Sequence, residues 1–178
     1  LNSISDTYYS NHKIIMIIVL GLCSFFLFTY KGYDLGDKIF TIIAGVGALG
    51  VAAFPCGNSY YKNLLHTAGQ AEVTGIFSLP FNVSNIIHCI MAAAVFISFA
   101  LMLLTQFTKG GQEKKNKLYI VCGIIMLVAI VLLGLNGTIN KYIFHYKLPP
   151  FMTMIYEFIM LEAFAVGWLV KSGVKFER

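Results

Sequence analysis

Charge is what this chain has least of. Only 12% of its 178 residues are Asp, Glu, Lys or Arg, where a water-soluble domain carries about a quarter. Most of its surface therefore does not face water. The cysteines are few and badly spaced for metal work: Cys23, Cys56, Cys89 and Cys122 form no C-x-x-C pair and have no histidine at zinc-finger distance. Cys23 and Cys122 lie inside apolar runs and read as packing residues, whereas Cys56 and Cys89 fall near one membrane face and are candidates for a disulfide. No basic stretch precedes a hydrophobic core at Leu1, so no signal peptide is visible.

What is abundant is apolar sequence. Hydrophobic residues make up 58% of the chain, mean hydropathy is +0.76, and the apolar residues come in long blocks that suit a bilayer. Five runs, about 13–30, 38–55, 83–107, 117–138 and 150–171, read as long enough to cross about 30 Å of hydrocarbon, which takes about 20 helical residues. In lipid these runs must be helices, because every backbone polar group has to be bonded internally. The expected fold is all-α: a single polytopic transmembrane helix bundle over residues 1–178. "YKGYDLGD", Pro55, "KGGQEKKNK" and "KLPP" are the breakers, and the stretch from about 56 to 82, with little charge, reads as the longest outside loop.

Lysine and arginine set the orientation. Of the 13 such residues, nine (Lys31, Lys38, Lys109, Lys114, Lys115, Lys117, Lys171, Lys175 and Arg178) fall on one side. Lys13, Lys62, Lys141 and Lys147 fall on the other. The richer side is expected to be cytoplasmic, which puts "LNSISDTYYSNHK" outside and the C-terminus inside. An external start without a signal peptide points to a further helix upstream, making six. "KGGQEKKNK" reads as a solvated loop beside anionic headgroups. The tyrosines and phenylalanines around 8–9, 60–61 and 142–146 fit an interfacial belt. The sequons at Asn82 and Asn136 sit at membrane edges and carry no weight.

"GVGALG" (Gly45 to Gly50) matches a dinucleotide fingerprint by letter, but the motif needs a preceding strand and an acidic residue about 20 positions later. In mid-span it reads instead as close helix packing through Ala44, Ala48 and Ala52, with Gly45 and Gly50 alongside.

Ionisable residues at membrane depth are candidates for function. Counted along the helices, His88 lies about 8 Å in from the outer end, Glu157 about 12 Å and Glu162 about 20 Å. His88 and Glu157 share a layer with Asn85 and Asn136, and a His88–Glu157 pair could be structural, orient a metal or act as a base. Glu162 is five residues from Glu157 and off its face; Ser98 or Thr41 would be its bonding partners. Asp6 and all four histidines (His12, His66, His88 and His145) fall on the predicted outer side. Zinc is the metal they would suit, although they come from four separate segments. The substrate-binding candidates are thus Asn85, His88, Asn136, Glu157 and Glu162. The catalytic candidates are His88, Glu157 and Asp6, with Ser5, Ser84 or a metal-bound water as nucleophile.

Three short stretches, "SISDT" (Ser3 to Thr7), "AAFPC" (Ala52 to Cys56) and "HCIMAAAVF" (His88 to Phe96), suggest a family. Their order resembles the six-helix superfamily of the damage-regulated autophagy modulators, the Frag/Sfk proteins and related uncharacterised bacterial membrane proteins. The matching positions are Ser5, Asp6, Thr7, His88, Ala92 and Phe96. "YYSNHK" departs from it, since relatives often have glycine and proline there. The resemblance implies a lipid-associated membrane protein, as some members take part in remodelling lipid anchors. Membrane lipids are then the expected partners, with a second copy or another membrane protein beside them and no nucleic acid. Three functions follow: a lipid-handling protein with an outer-leaflet pocket, which as an enzyme would be a hydrolase or transferase; a non-enzymatic scaffold or regulator; and, least supported, a small-solute transporter.

Overall fold

Each apolar run folds as a helix, and among the described residues "YKGYDLGD" and Pro55 fall at helix ends. A computed structural model of the chain describes residues 2–32, 34–109, 112–139, 149 and 151–173, with backbone only for 136–139. A 3-10 helix, Ile4–Tyr9, precedes α1 (Lys13–Thr29), α2 (Leu35–Ala53), α3 (Ser59–Thr67), α4 (Phe81–Leu101), α5 (Glu113–Ile139) and α6 (Met152–Lys171). A two-stranded antiparallel hairpin, β1 (Val73–Thr74) and β2 (Leu79–Pro80), lies between α3 and α4.

Four helices among the described residues are long and apolar enough to cross a membrane: α2, α4 with its continuation to Gln106, α5 and α6. The expected first span is the 17-residue α1, about 25 Å long and short of a 30 Å hydrocarbon core. Large apolar side chains point outward along these helices, with Ile14 70%, Phe26 67% and Ile90 61% exposed. Patches of that extent suit lipid, not water.

Two sequence expectations change here. The loop from about 56 to 82 is built from α3 and the hairpin. The hairpin packs on the corner after α2, where Gly75 takes a positive φ of 83° and a Cβ would stand 3.1 Å from the Ala53 carbonyl. "KGGQEKKNK" is not all loop either, because α5 starts at Glu113 and a 2.8 Å Lys117–Glu113 ion pair spans its first turn.

Contacts divide the chain into two compact units, one of residues 3–31 and 41–95, the other of Asn2, 32–40 and 96–178. In the first, the glycine-rich stretch of α2 is a packing surface. Ala44, Ala48 and Ala52 are buried. A Cβ on Gly47 would lie 2.7 Å from Val95 Cγ2 and 2.9 Å from the Met91 carbonyl, and one on Gly50 would lie 2.4 Å from Met91 Cγ. The absent side chains let α4 approach α2 closely. Gly45 meets Phe28 of α1, and the Ser24 hydroxyl of α1 donates to the Gly45 carbonyl at 2.8 Å.

The second unit has an aromatic core. Phe99 stacks on Phe164 at 3.7 Å between ring centres, and Phe107 meets Tyr119 and Trp168. A π-helical turn, Met102–Gln106, ends the α4 span. There Lys109 bridges Asp34 and the Gln106 side chain, and the Lys109 ammonium holds the Asp34 carboxyl below its ordinary range.

Candidate functional site

Pro55 explains where the site forms. It has no N–H and cannot continue α2, so the helix stops at Ala53 and the carbonyls just past its end, Phe54 to Cys56, have no helical partner. Side chains from elsewhere satisfy them. His88 Nδ1 lies 2.7 Å from the Phe54 carbonyl, Ser84 Oγ donates to Pro55 at 2.9 Å, and Tyr9 OH donates to Cys56 at 2.6 Å. The next two residues are held as well. Gly57 N donates to Asn85 Oδ1 at 2.7 Å, and Asn58 Nδ2 donates to Asp6 Oδ1 at 3.1 Å.

Two elements supply this clasp. Ser84, Asn85 and His88 come from the first two turns of α4, with Ser84 and His88 one turn apart and so on one face. Asp6 and Tyr9 come from the 3-10 helix. Its N-cap is Ser3, whose hydroxyl accepts from Ser5 N at 2.9 Å.

Ser5 completes the arrangement. Its Oγ lies 3.0 Å from His88 Nε2, the ring nitrogen opposite the one that faces Phe54. A carbonyl oxygen can only accept, so Nδ1 carries the proton and Nε2 is the bare nitrogen that accepts from the Ser5 hydroxyl. His88 is 5% exposed, while Ser5 is half-buried. A hydroxyl beside a neutral imidazole whose far nitrogen is fixed is the geometry of an activated nucleophile.

Asp6 is buried, and its Oδ1 also takes a 3.6 Å contact from Cys56 Sγ. Its carboxylate ties the strand after Pro55 to the 3-10 helix. Tyr9 packs its ring against Tyr61 at 4.8 Å and also reaches Thr74 Oγ1 at 3.3 Å. Burial is the main reason its phenol pKa is pushed up to about 12, so Tyr9 stays a neutral donor. A pocket of about 350 Å³ is lined among others by Tyr8, Tyr9, Lys13, Tyr61, Thr74 and Ser78. Lys13 Nζ sits 4.1 Å over the Tyr8 ring. Ser5 and His88 do not line this pocket; Tyr9 is the residue that links the two.

Several expectations need correction. The partners of His88 are Ser5 and Phe54, and with both ring nitrogens used the proposed Glu157 pairing gives way. Glu157 is half-buried on α6, in the other unit. Glu162 is exposed on α6 and makes no bond to Ser98 or Thr41, both of which are buried. Ser84 is fully buried with its hydroxyl committed to Pro55, which removes it as a nucleophile. Asn85 braces Gly57. The Asn136 side chain and His145 lie outside the described residues.

The cysteines are free thiols, so the Cys56–Cys89 disulfide does not form. Cys56 turns to Asp6 and Cys89 to Asn85. Cys122 is buried as expected, but Cys23 is exposed on α1. Among the described residues no three His, Cys, Asp or Glu side chains converge on a metal position. His12 is exposed, and His66 pairs with Glu72 at 2.9 Å.

Sequence reasoning missed the Phe54 carbonyl, Tyr9 and Thr74. Pro55 was the available signal, since a proline at a helix end frees carbonyls that other groups must satisfy. No protein-family model, curated protein or solved structure matches the chain. Ser5 and Asp6, Phe54 to Cys56, and His88 meet in this one cluster.

Proposed function

We propose that this chain is a membrane-embedded lipid hydrolase or acyltransferase, with Ser5 as nucleophile and His88 as its base. One observation carries the reading: Ser5 Oγ stands 3.0 Å from His88 Nε2 while the Phe54 carbonyl holds Nδ1 at 2.7 Å. Ser5 Oγ attacks the carbonyl carbon of a lipid ester, and its proton passes to Nε2. The resulting imidazolium gives that proton to the departing alcohol as the ester bond breaks, leaving an acyl-serine. Water or an acceptor hydroxyl then takes the acyl group by the reverse sequence.

A lipid ester fits the position of the dyad, about 10 Å along α4 from Phe81. Ester linkages lie near that depth, below the headgroups. The pocket that Tyr9 lines, with Lys13 and three tyrosines, suits a polar headgroup, and the family resemblance supports lipid association. The lysine count supports an outer-leaflet position for this end.

A second reading is favoured by the near-complete burial of His88 and by the run of capped carbonyls from Phe54 to Cys56. In it the cluster is a structural clasp of a non-enzymatic scaffold. A long-chain alkyl fluorophosphonate, which reacts covalently with activated serines, separates the two. The enzyme reading expects labelling of the wild type in detergent, none of Ser5→Ala, and labelling of His88→Ala slowed by about 100-fold or more. An unlabelled wild type, or label retained in Ser5→Ala, would leave only the clasp.

A further inference from the structure

We propose that the outward face of α6 docks a transmembrane helix of another protein, one that carries a lysine or arginine at mid-span, and that Glu162 is the contact point. Glu162 is ten residues from Met152 and nine from Lys171, about 15 Å from either end and so near the centre of the bilayer. Its side chain is exposed. It makes no hydrogen bond or ion pair among the described residues. Lipid tails supply no donor, and carboxylates at that depth normally face a protein partner.

The surroundings of Glu162 form a docking face. Ile155, Ile159, Ala165 and Leu169 are also exposed. They lie three and seven residues to either side of Glu162, which makes one apolar stripe with the acid at its middle and a small residue one turn on. Of the four spanning helices α6 is the least covered, with 17% of its span buried against 28% to 44% for the others.

Charge complementarity selects the occupant. Among the described residues the cations of the spanning helices sit at their ends, at Lys38, Lys114, Lys115, Lys117 and Lys171, and the His88 imidazole, about 10 Å from the start of α4, is buried. A second copy would thus meet Glu162 with another carboxyl, whereas a foreign helix with a central lysine or arginine meets it with a charge-assisted hydrogen bond. The proposal is independent of the Ser5–His88 chemistry.

The test reconstitutes the full chain, donor-labelled, in phosphatidylcholine vesicles with acceptor-labelled polyleucine transmembrane peptides. One peptide has a single central lysine and its control has leucine there. Energy transfer is expected to show the lysine peptide binding about tenfold tighter than the control. Glu162→Gln should abolish that preference while leaving the melting temperature in detergent unchanged. Equal binding of the two peptides, or a preference that survives Glu162→Gln, overturns the proposal. So does a large fall in melting temperature, which would place Glu162 in an internal contact. Self-association of the wild type that Glu162→Ala removes would assign the face to a second copy instead.

Discussion

Replacing His88 with alanine removes two hydrogen bonds, and their consequences differ. The Ser5 hydroxyl is half-buried and can turn to water, a loss of about 1 kcal/mol. The Phe54 carbonyl, which took a 2.7 Å bond, loses its donor where the buried His88 ring had stood. Stranding such a group costs about 1–3 kcal/mol. The space left by the imidazole adds to both, so His88→Ala should lose about 3–4 kcal/mol. Ser5→Ala leaves His88 on Phe54 and should lose no more than about 1 kcal/mol. The measurement is equilibrium denaturation of both variants and the double variant in one detergent. Because Ser5 and His88 share a bond, the double variant should fall short of the sum of the singles by about 0.5–1 kcal/mol. The account of the clasp fails if His88→Ala costs no more than Ser5→Ala, since the capping of α2 would then hold nothing in place.

Three further outcomes are expected. Gly47→Ala presses a Cβ against the Met91 carbonyl, and Gly50→Ala presses one against Met91 Cγ at 2.4 Å and Cβ at 3.0 Å, the root of that side chain; each should destabilise by about 1–3 kcal/mol, read by the same denaturation assay. Tyr9→Phe strips the donor from the Cys56 carbonyl and should cost about 1–2 kcal/mol, with ultraviolet titration showing the loss of a phenol that ionises near 12. Because that pKa is raised on folding, Tyr9's contribution is complete below its ordinary value of 10.0 and disappears as pH climbs toward 12. Glu72 runs the other way: Lys62, then His66, hold its carboxyl below its ordinary 4.5. Its contribution is present above pH 4.5 and is lost as pH falls further, so amide protection in α3 should drop below that pH in the wild type but not in Glu72→Gln.

Depth along a helix was legible in the sequence, and direction around it was only partly so. Ala44, Ala48 and Ala52 step by four, and a stripe of small residues can only mean close approach in a membrane, so their burial followed. His88 stood out because an ionisable group in an apolar run demands a partner. The partner itself did not follow, because depth matched His88 to Glu157 while the groups that reach it are a hydroxyl 83 positions away and a backbone carbonyl. Carbonyls carry no side-chain letter, and a search for charged partners passes over them. The same blindness produced the Cys56–Cys89 disulfide, since both thiols lie near one end of the chain's helices but turn to different acceptors. The 56–82 segment read as loop because α3 is too short and too polar to announce itself beside the spans.

Clasp and dyad depend on the same bond. The Phe54 carbonyl needs a donor because Pro55 ended α2, and taking it from Nδ1 fixes the tautomer that leaves Nε2 bare toward Ser5. A histidine placed to cap a helix is thereby also placed to accept a proton from a hydroxyl, without a carboxylate to orient it. The substitution has a consequence. A neutral carbonyl stabilises an imidazolium less than a carboxylate does, so the Ser5–His88 pair is a weaker base system than a triad and suits a substrate delivered at high local concentration. On the proposed lipid-hydrolase reading, a lipid already dissolved in the bilayer around α4 would be such a substrate. Asp6, one residue from Ser5, does not replace the missing carboxylate in this arrangement: its Oδ1 is committed to Asn58 and Cys56, where it keeps the carbonyl run in register with the histidine.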